Sequence, residues 1–198
     1  MNELWNSILF LFAAAVSQNI VLTTGFGSSM VLRMVRRPKD IGVFSLILGF
    51  FAVATVAICH PLDNVLGIDF WPKLLRPLLI VAVVAVLYCL FVLICPKAFP
   101  RLYARIAKLL PLAAFNNLVI GIALICNHNF STTLTSAIGL ALGGCVGFVA
   151  LSFITAEGIE RLDNPDIPQA FRGLPITLVY VGLLALAILG FSSSVSLI

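Results

Sequence analysis

Six runs of apolar residues, separated by shorter polar stretches, dominate this chain of 198 residues. They cover Leu4–Thr24, Ile41–Cys59, Leu74–Cys95, Leu109–Cys126, Leu134–Thr155 and Leu174–Phe191. A helix needs ~20 apolar residues to cross a ~30 Å hydrocarbon core, and every run is close to that. Barrel strands would be ~9–11 residues long with alternating polarity, which none of the runs shows. Only 10% of the residues are charged, whereas a soluble domain carries ~25%. The sequence therefore predicts an all-α, polytopic membrane helical bundle with six transmembrane segments. The chain is short enough for a single domain over 1–198. Its 12 basic residues mark membrane orientation and not a phosphate-binding face, so no nucleic-acid partner is expected. The first run has no basic flank before it and no Ala-x-Ala site after it, and is expected to be retained.

Orientation follows from the lysines and arginines. Arg33, Arg36, Arg37 and Lys39 follow the first run; Lys97, Arg101, Arg105 and Lys108 follow the third; Arg161 and Arg172 follow the fifth. These loops share one face, and only Lys73 and Arg76 fall on the other. The positive-inside rule puts the basic loops in the cytoplasm and both termini outside. Attraction of basic loops to an anionic membrane surface is compatible with the same pattern.

Gln18-Asn19-Ile20-Val21-Leu22 is similar to Asn116-Asn117-Leu118-Val119-Ile120 about half a chain later. Each copy lies in the first segment of a three-segment half, 1–98 or 99–198. An odd number of crossings per half inserts the second half upside down relative to the first. From Leu4 to Leu32 there is no charge, and a continuous helix there would be ~43 Å long at 1.5 Å per residue. Gly25 and Gly27, followed by Ser28 and Ser29, stand where such a helix would break. Asn116 and Asn117 put two amides well inside the fourth run, where an unpaired polar group is costly. Helices interrupted at matching positions of inverted halves point to a site near the bilayer midplane. The alternative is a tilted first helix, with the asparagines pairing between helices as packing contacts.

Several ordered pieces resemble a known family. They are Asn19 to Leu22, Leu110-Pro-Leu112 followed by Asn116, His128-Asn-Phe130, Glu160-Arg-Leu162, Pro168 with Phe171-Arg-Gly173, and Gly190-Phe-Ser192. Over nearly its whole length the chain resembles the A-type membrane subunit of the Rnf complex and its counterpart in the sodium-pumping quinone reductase. The resemblance implies a bacterial or archaeal cell membrane and two half-helices meeting a homologous membrane subunit. It also implies further subunits and a two-iron, two-sulfur cluster held between the pair. This sequence departs from that pattern at both cluster positions. The family's cysteine after the first segment corresponds to Ser29, and the one after an asparagine in the fourth corresponds to Asn117. Cluster iron is held by soft thiolates, and a serine hydroxyl or neutral amide is a poor replacement. No cofactor is therefore expected in this chain.

The five cysteines, Cys59, Cys89, Cys95, Cys126 and Cys145, form no Cys-x-x-Cys pair and suggest no disulfide framework. Cys59-His60 and Cys126-Asn127-His128 fall toward the same predicted face. They would form a tetrahedral site only if those helix ends adjoined, and their spacing is not that of a zinc finger. Interfacial placement is the simpler reading, and no metal site is expected. Gly139, Gly143 and Gly147 repeat every fourth residue, a stripe that permits close helix approach. The stretch from Glu157 to Gly173, with Glu157, Glu160, Asp163 and Asp166, reads as a solvated loop, and Phe171-Arg172-Gly173 as a docking point. No carboxylate lies deep within any run, so this chain alone offers no acidic proton or sodium relay. It also lacks nucleotide-binding, metalloprotease and nucleophile-elbow motifs, and no catalytic residue is expected.

Two function classes follow. One is a membrane subunit of an Rnf/Nqr-like complex that couples electron transfer to ion translocation. The other is a redox-inactive paralogue serving as a transporter or scaffold subunit. In either, chemistry would belong to the assembly. The topology makes a direct prediction: cysteines introduced near Asn2 and Ser196 react with an impermeant reagent from outside the cell. Labelling only from the cytoplasmic side would overturn it, together with the inverted halves.

Overall fold

In a hydrocarbon medium each backbone amide must find its partner within the protein, and a helix satisfies its own. The computed structural model describes residues 4–6, 9, 28–35, 40–66, 75–129, 134–162 and 168–195. These residues form α1 (Ser28–Val35), α2 (Ile41–Leu66), α3 (Leu75–Ala98), α4 (Pro100–Ile106), α5 (Leu110–Ala114), α6 (Asn117–Asn129), α7 (Leu134–Arg161) and α8 (Leu174–Val195). A 3-10 turn, Gln169–Phe171, precedes α8. The chain is an all-α helical bundle, and Ile41–Leu62, Leu75–Ala98 and Leu134–Arg161 are long and apolar enough to cross a membrane. Leu110–Cys126 and Leu174–Gly190 are shorter apolar stretches. The first expected segment falls almost wholly outside the described residues, as do Gly25 and Gly27.

The bundle is organised around α7. Small residues at Ala137, Gly139, Ala141, Gly143, Gly144 and Gly147 are all buried, allowing neighbouring helices to approach its backbone closely. α2 makes the most extensive contact with it, and α1 and α6 also pack on it. Phe44 stacks at a tilt on Phe148 with ring centroids 5.6 Å apart, and Gly49 backs onto the Cys145 side chain. Later residues of α2 thus meet earlier residues of α7, so the two helices run antiparallel. α6 is antiparallel to α7 as well: Cys126 Sγ donates to the Ala137 carbonyl at 3.7 Å, and Ile122 fills the space in front of Gly144. The Gly144 contact lies between two members of the glycine stripe read from sequence. That stripe identified the packing helix without resolving which glycine meets which neighbour.

α3 shows the opposite balance. It is apolar throughout, yet only Ile80, Val84 and Cys95 are buried. Their spacing defines one narrow stripe, with Phe91 close to Phe50 and Phe51 of α2. The remaining apolar surface suits a lipid-facing helix.

Several helices extend beyond their apolar runs, α2 and α7 furthest. α2 continues through Pro61 to Leu66, past the expected end at Cys59. α7 continues to Arg161, so Glu157 and Glu160 belong to a helix where a loop was expected. Propensity and an exposed ion pair, Glu157 to Arg161 at 3.1 Å, favour that extension; such i,i+4 pairs contribute ~0.3–0.5 kcal/mol. Gly173, at φ +83°, adopts a backbone conformation natural to glycine. Its carbonyl accepts from the Thr177 hydroxyl at 2.9 Å in the first turn of α8.

α8 is peripheral: each of its residues from 174 to 190 is exposed or partly so. It meets α7 where Tyr180 lies over Gly158 and its hydroxyl donates to the Ile154 carbonyl at 3.3 Å. A Cβ at position 158 would collide with the tyrosine ring. Gly158→Ala should destabilise the protein by about 1–3 kcal/mol, a usual cost of overpacking, and lower its thermal midpoint in detergent. Adding Tyr180→Ala should recover most of that loss. An unchanged midpoint in Gly158→Ala would show that α8 docks elsewhere.

Candidate functional site

The fourth apolar run contains a complete change of helix. Pro111 lies in the first turn of α5, where its missing N–H costs no intrahelical bond. α5 ends at Ala114, and Phe115 leaves helical geometry at φ −89° and ψ 31° while its N–H still reaches the Pro111 carbonyl at 3.1 Å. Asn116 then stands immediately before α6. Its backbone carbonyl accepts from Val119 N–H at 3.0 Å, and its side-chain Oδ1 accepts from Leu118 N–H at 3.0 Å. This is the chemistry of an N-cap, in which a side-chain oxygen replaces the missing carbonyl of the preceding turn.

The cap fixes the amide's orientation. Leu118 N–H requires an acceptor, so Oδ1 faces it and Nδ2 must face the other way. Asn116 is only 6% exposed, and among the described residues Nδ2 has no hydrogen-bond partner. An unsatisfied buried amide costs about 1–3 kcal/mol. The residues on either side turn outward: Phe115 is 43% exposed and Asn117 is exposed. Phe115 rests on Tyr88, near the middle of α3, with ring centroids 5.5 Å apart.

Ser29 occupies a similar local position, in the first turn of α1. It is exposed, while the following Met30 and Val31 are buried. Ser29 and Asn117 therefore both sit at the beginning of a helix that packs on α7, and both present to the outer surface of the chain. Asn116 lies beneath that surface.

Three further buried hydroxyls, Thr55 on α2 and Ser152 and Thr155 on α7, also lack a hydrogen-bond partner among the described residues. Sequence reading passed over them because serine and threonine are ordinary in apolar helices; isolated polar atoms in otherwise apolar runs were the available signal. Cys59, Cys95, Cys126 and Cys145 are buried and Cys89 is exposed, and no disulfide joins any of them. Among the described residues, no three histidine, cysteine, aspartate or glutamate side chains come together as a metal-binding set. Phe171 is 54% exposed. Near the same end of α7, the Glu157–Arg161 pair lines a cleft of about 620 Å³ with Tyr180.

The cap gives the break a measurable consequence. Asn116→Ala removes the acceptor for Leu118 N–H and should cost about 0.5–2 kcal/mol. Asn116→Ser keeps an acceptor and removes the unpaired amide donor, so its thermal midpoint should stay near that of the unaltered protein. Equal losses in the two variants would remove the capping account.

The sequence pattern of the family described as "Rnf-Nqr subunit, membrane protein" matches residues 7–195. Among the chain's relatives is the A-type subunit of an ion-translocating oxidoreductase complex from Syntrophotalea carbinolica (strain DSM 2380 / NBRC 103641 / GraBd1). It is 30% identical over 190 residues, covering 96% of this chain and 98% of the relative. The protein of the same description from Pasteurella multocida (strain Pm70) is 29% identical over 188 residues, covering 95% and 97%. That from Actinobacillus pleuropneumoniae serotype 5b (strain L20) is 28% identical over 190 residues, covering 96% and 98%. With its helices, its interrupted fourth run and this full-length match taken together, the chain belongs to the Rnf-Nqr family of membrane subunits.

Proposed function

We propose that this chain is a non-catalytic membrane subunit of an Rnf/Nqr-like complex, redox-inactive in itself, that serves as a scaffold or transport subunit. The observation that carries this reading is the pair Ser29 and Asn117, standing where the family resemblance puts two cysteines. A two-iron, two-sulfur cluster does not fit these residues. A neutral amide supplies no thiolate charge, and a serine hydroxyl is a hard donor of high pKa. Cys126 is nine residues beyond Asn117, or ~13 Å along a helix, and its thiol is engaged with the Ala137 carbonyl.

In this reading the chain is one domain of two inverted halves, 1–98 and 99–198, with both termini outside the cytoplasm. The exposed first turns of α1 and α6 meet a homologous membrane subunit. Asn116 keeps the second break folded by capping α6, so the interrupted helix survives without a cluster to hold it. The interrupted geometry can serve transport in the way other inverted-repeat proteins use broken helices. The second reading, in which the chain takes part directly in electron transfer coupled to ion movement, is favoured by its full-length similarity to subunits of ion-translocating oxidoreductases. It requires the electron carriers to reside in other subunits or in relocated ligands.

Iron and acid-labile sulfide analysis with electron paramagnetic resonance separates the two. In the purified complex, replacing the cysteines of this chain should leave the iron content and spectrum unchanged. The double variant Ser29→Cys, Asn117→Cys should add a cluster signal if the partner contributes its own ligands. A cluster in the unaltered complex that disappears with Cys59 or Cys126 would show relocated ligands and defeat the redox-inactive reading.

A further inference from the structure

A cleft of about 620 Å³ lies between the last turns of α7 and the first half of α8. Phe153, Ile154 and Leu162 supply its apolar side, the Tyr180 ring lines it from α8, and Glu157 and Arg161 supply its charges. These two charged side chains are 65% and 78% exposed. Arg161 Nε and Nη2 both donate to Glu157 Oε1, at 3.3 and 3.1 Å. Neither bond uses Glu157 Oε2 or Arg161 Nη1, so the pair keeps an acceptor and a donor to offer. The volume lies within the ~300–1,000 Å³ of small-molecule sites.

Position and charge narrow the occupant. From Leu134 to Ala156 α7 carries no charged residue, ~34 Å at 1.5 Å per residue, enough to cross a ~30 Å hydrocarbon core. Glu157 is the first charge after that stretch, so the cleft straddles the boundary between lipid tails and water. Tyrosine favours that layer. Phe153 and Ile154, 53% and 47% exposed, lie on the tail side, and Glu157 and Arg161 on the headgroup side. Glu160 is also exposed, which sets two carboxylates against one guanidinium on the last turns of α7. Such a rim disfavours a purely anionic headgroup and suits one that carries an ammonium beside its phosphate.

We infer that the α7–α8 cleft binds the headgroup of one phosphatidylethanolamine. Its ammonium donates to Glu157 Oε2, its phosphate accepts from Arg161, and its tails run down over Phe153 and Ile154. A primary ammonium has hydrogens to give Oε2, whereas the trimethylated ammonium of phosphatidylcholine has none. The site uses neither Ser29 nor Asn117 and is independent of the proposed function.

The protein is extracted in mild detergent and mixed with palmitoyl-oleoyl phosphatidylethanolamine, or with phosphatidylcholine or phosphatidylglycerol of the same tails. Retained lipid is then counted by native mass spectrometry. One phosphatidylethanolamine per copy should be retained in preference to either of the others. Glu157→Gln should lower that retention about threefold, the size of one exposed ion pair, while phosphatidylglycerol retention does not fall because Arg161 is freed. Arg161→Gln should lower retention of all three lipids by about the same factor. An exposed pair adds little to stability, so both variants should keep their helicity and thermal midpoint. Equal retention of the three lipids by the unaltered protein, or a preference for phosphatidylethanolamine that survives both substitutions, would overturn the inference. So would efficient cross-linking of Phe153→Cys to another polypeptide in native membranes, which would make the cleft a protein-docking surface.

Discussion

A polar group in hydrocarbon has only the protein to bond with, and the structure depends on how that need is met at the interruption between α5 and α6. Ending a helix releases backbone donors and acceptors that water would satisfy at a soluble surface. Here Asn116 satisfies one of them with its own side chain, placing Oδ1 against Leu118 N–H. The same bond turns Nδ2 into a buried donor without an acceptor among the described residues. The break is thus held by a local bond and leaves one bond unmade, and a segment so arranged is a natural place for function or for contact with another subunit.

Around that break the packing is uneven in a way that fits an assembled membrane protein. α7 is buried along much of its length by small residues, and α1, α2 and α6 close on it. α3 and α8 have wide exposed apolar faces. Between membrane helices there is no hydrophobic driving force, so association rests on close packing and specific polar contacts. Tyr180 over Gly158 is such a contact, and it is the principal described attachment of α8 to the α7 backbone.

Much of the fold is legible in the sequence because crossing helices need long apolar runs. Ile41, Leu134 and Leu174 begin helices where their runs begin. The far ends are less legible, because hydropathy reports where lipid stops and not where a helix stops; α2 reaches Leu66 and α7 reaches Arg161 through polar residues. Asn116 and Asn117 stand out as two amides in an apolar run. Their different roles, one buried cap and one exposed first residue, depend on a side-chain hydrogen bond that spacing does not reveal. Tyr180 and Gly158 are far apart in sequence, and neither residue type announces the other. The cleft between α7 and α8 is a property of two helices together, so no single run betrays it.

The proposed reading makes this chain a cluster-free member of a membrane complex. Gentle extraction from native membranes, followed by native mass determination and identification of each component, tests that claim most directly. The expected product is a complex larger than one chain, containing a homologous Rnf-Nqr membrane subunit. A monodisperse, fully functional monomer would contradict it.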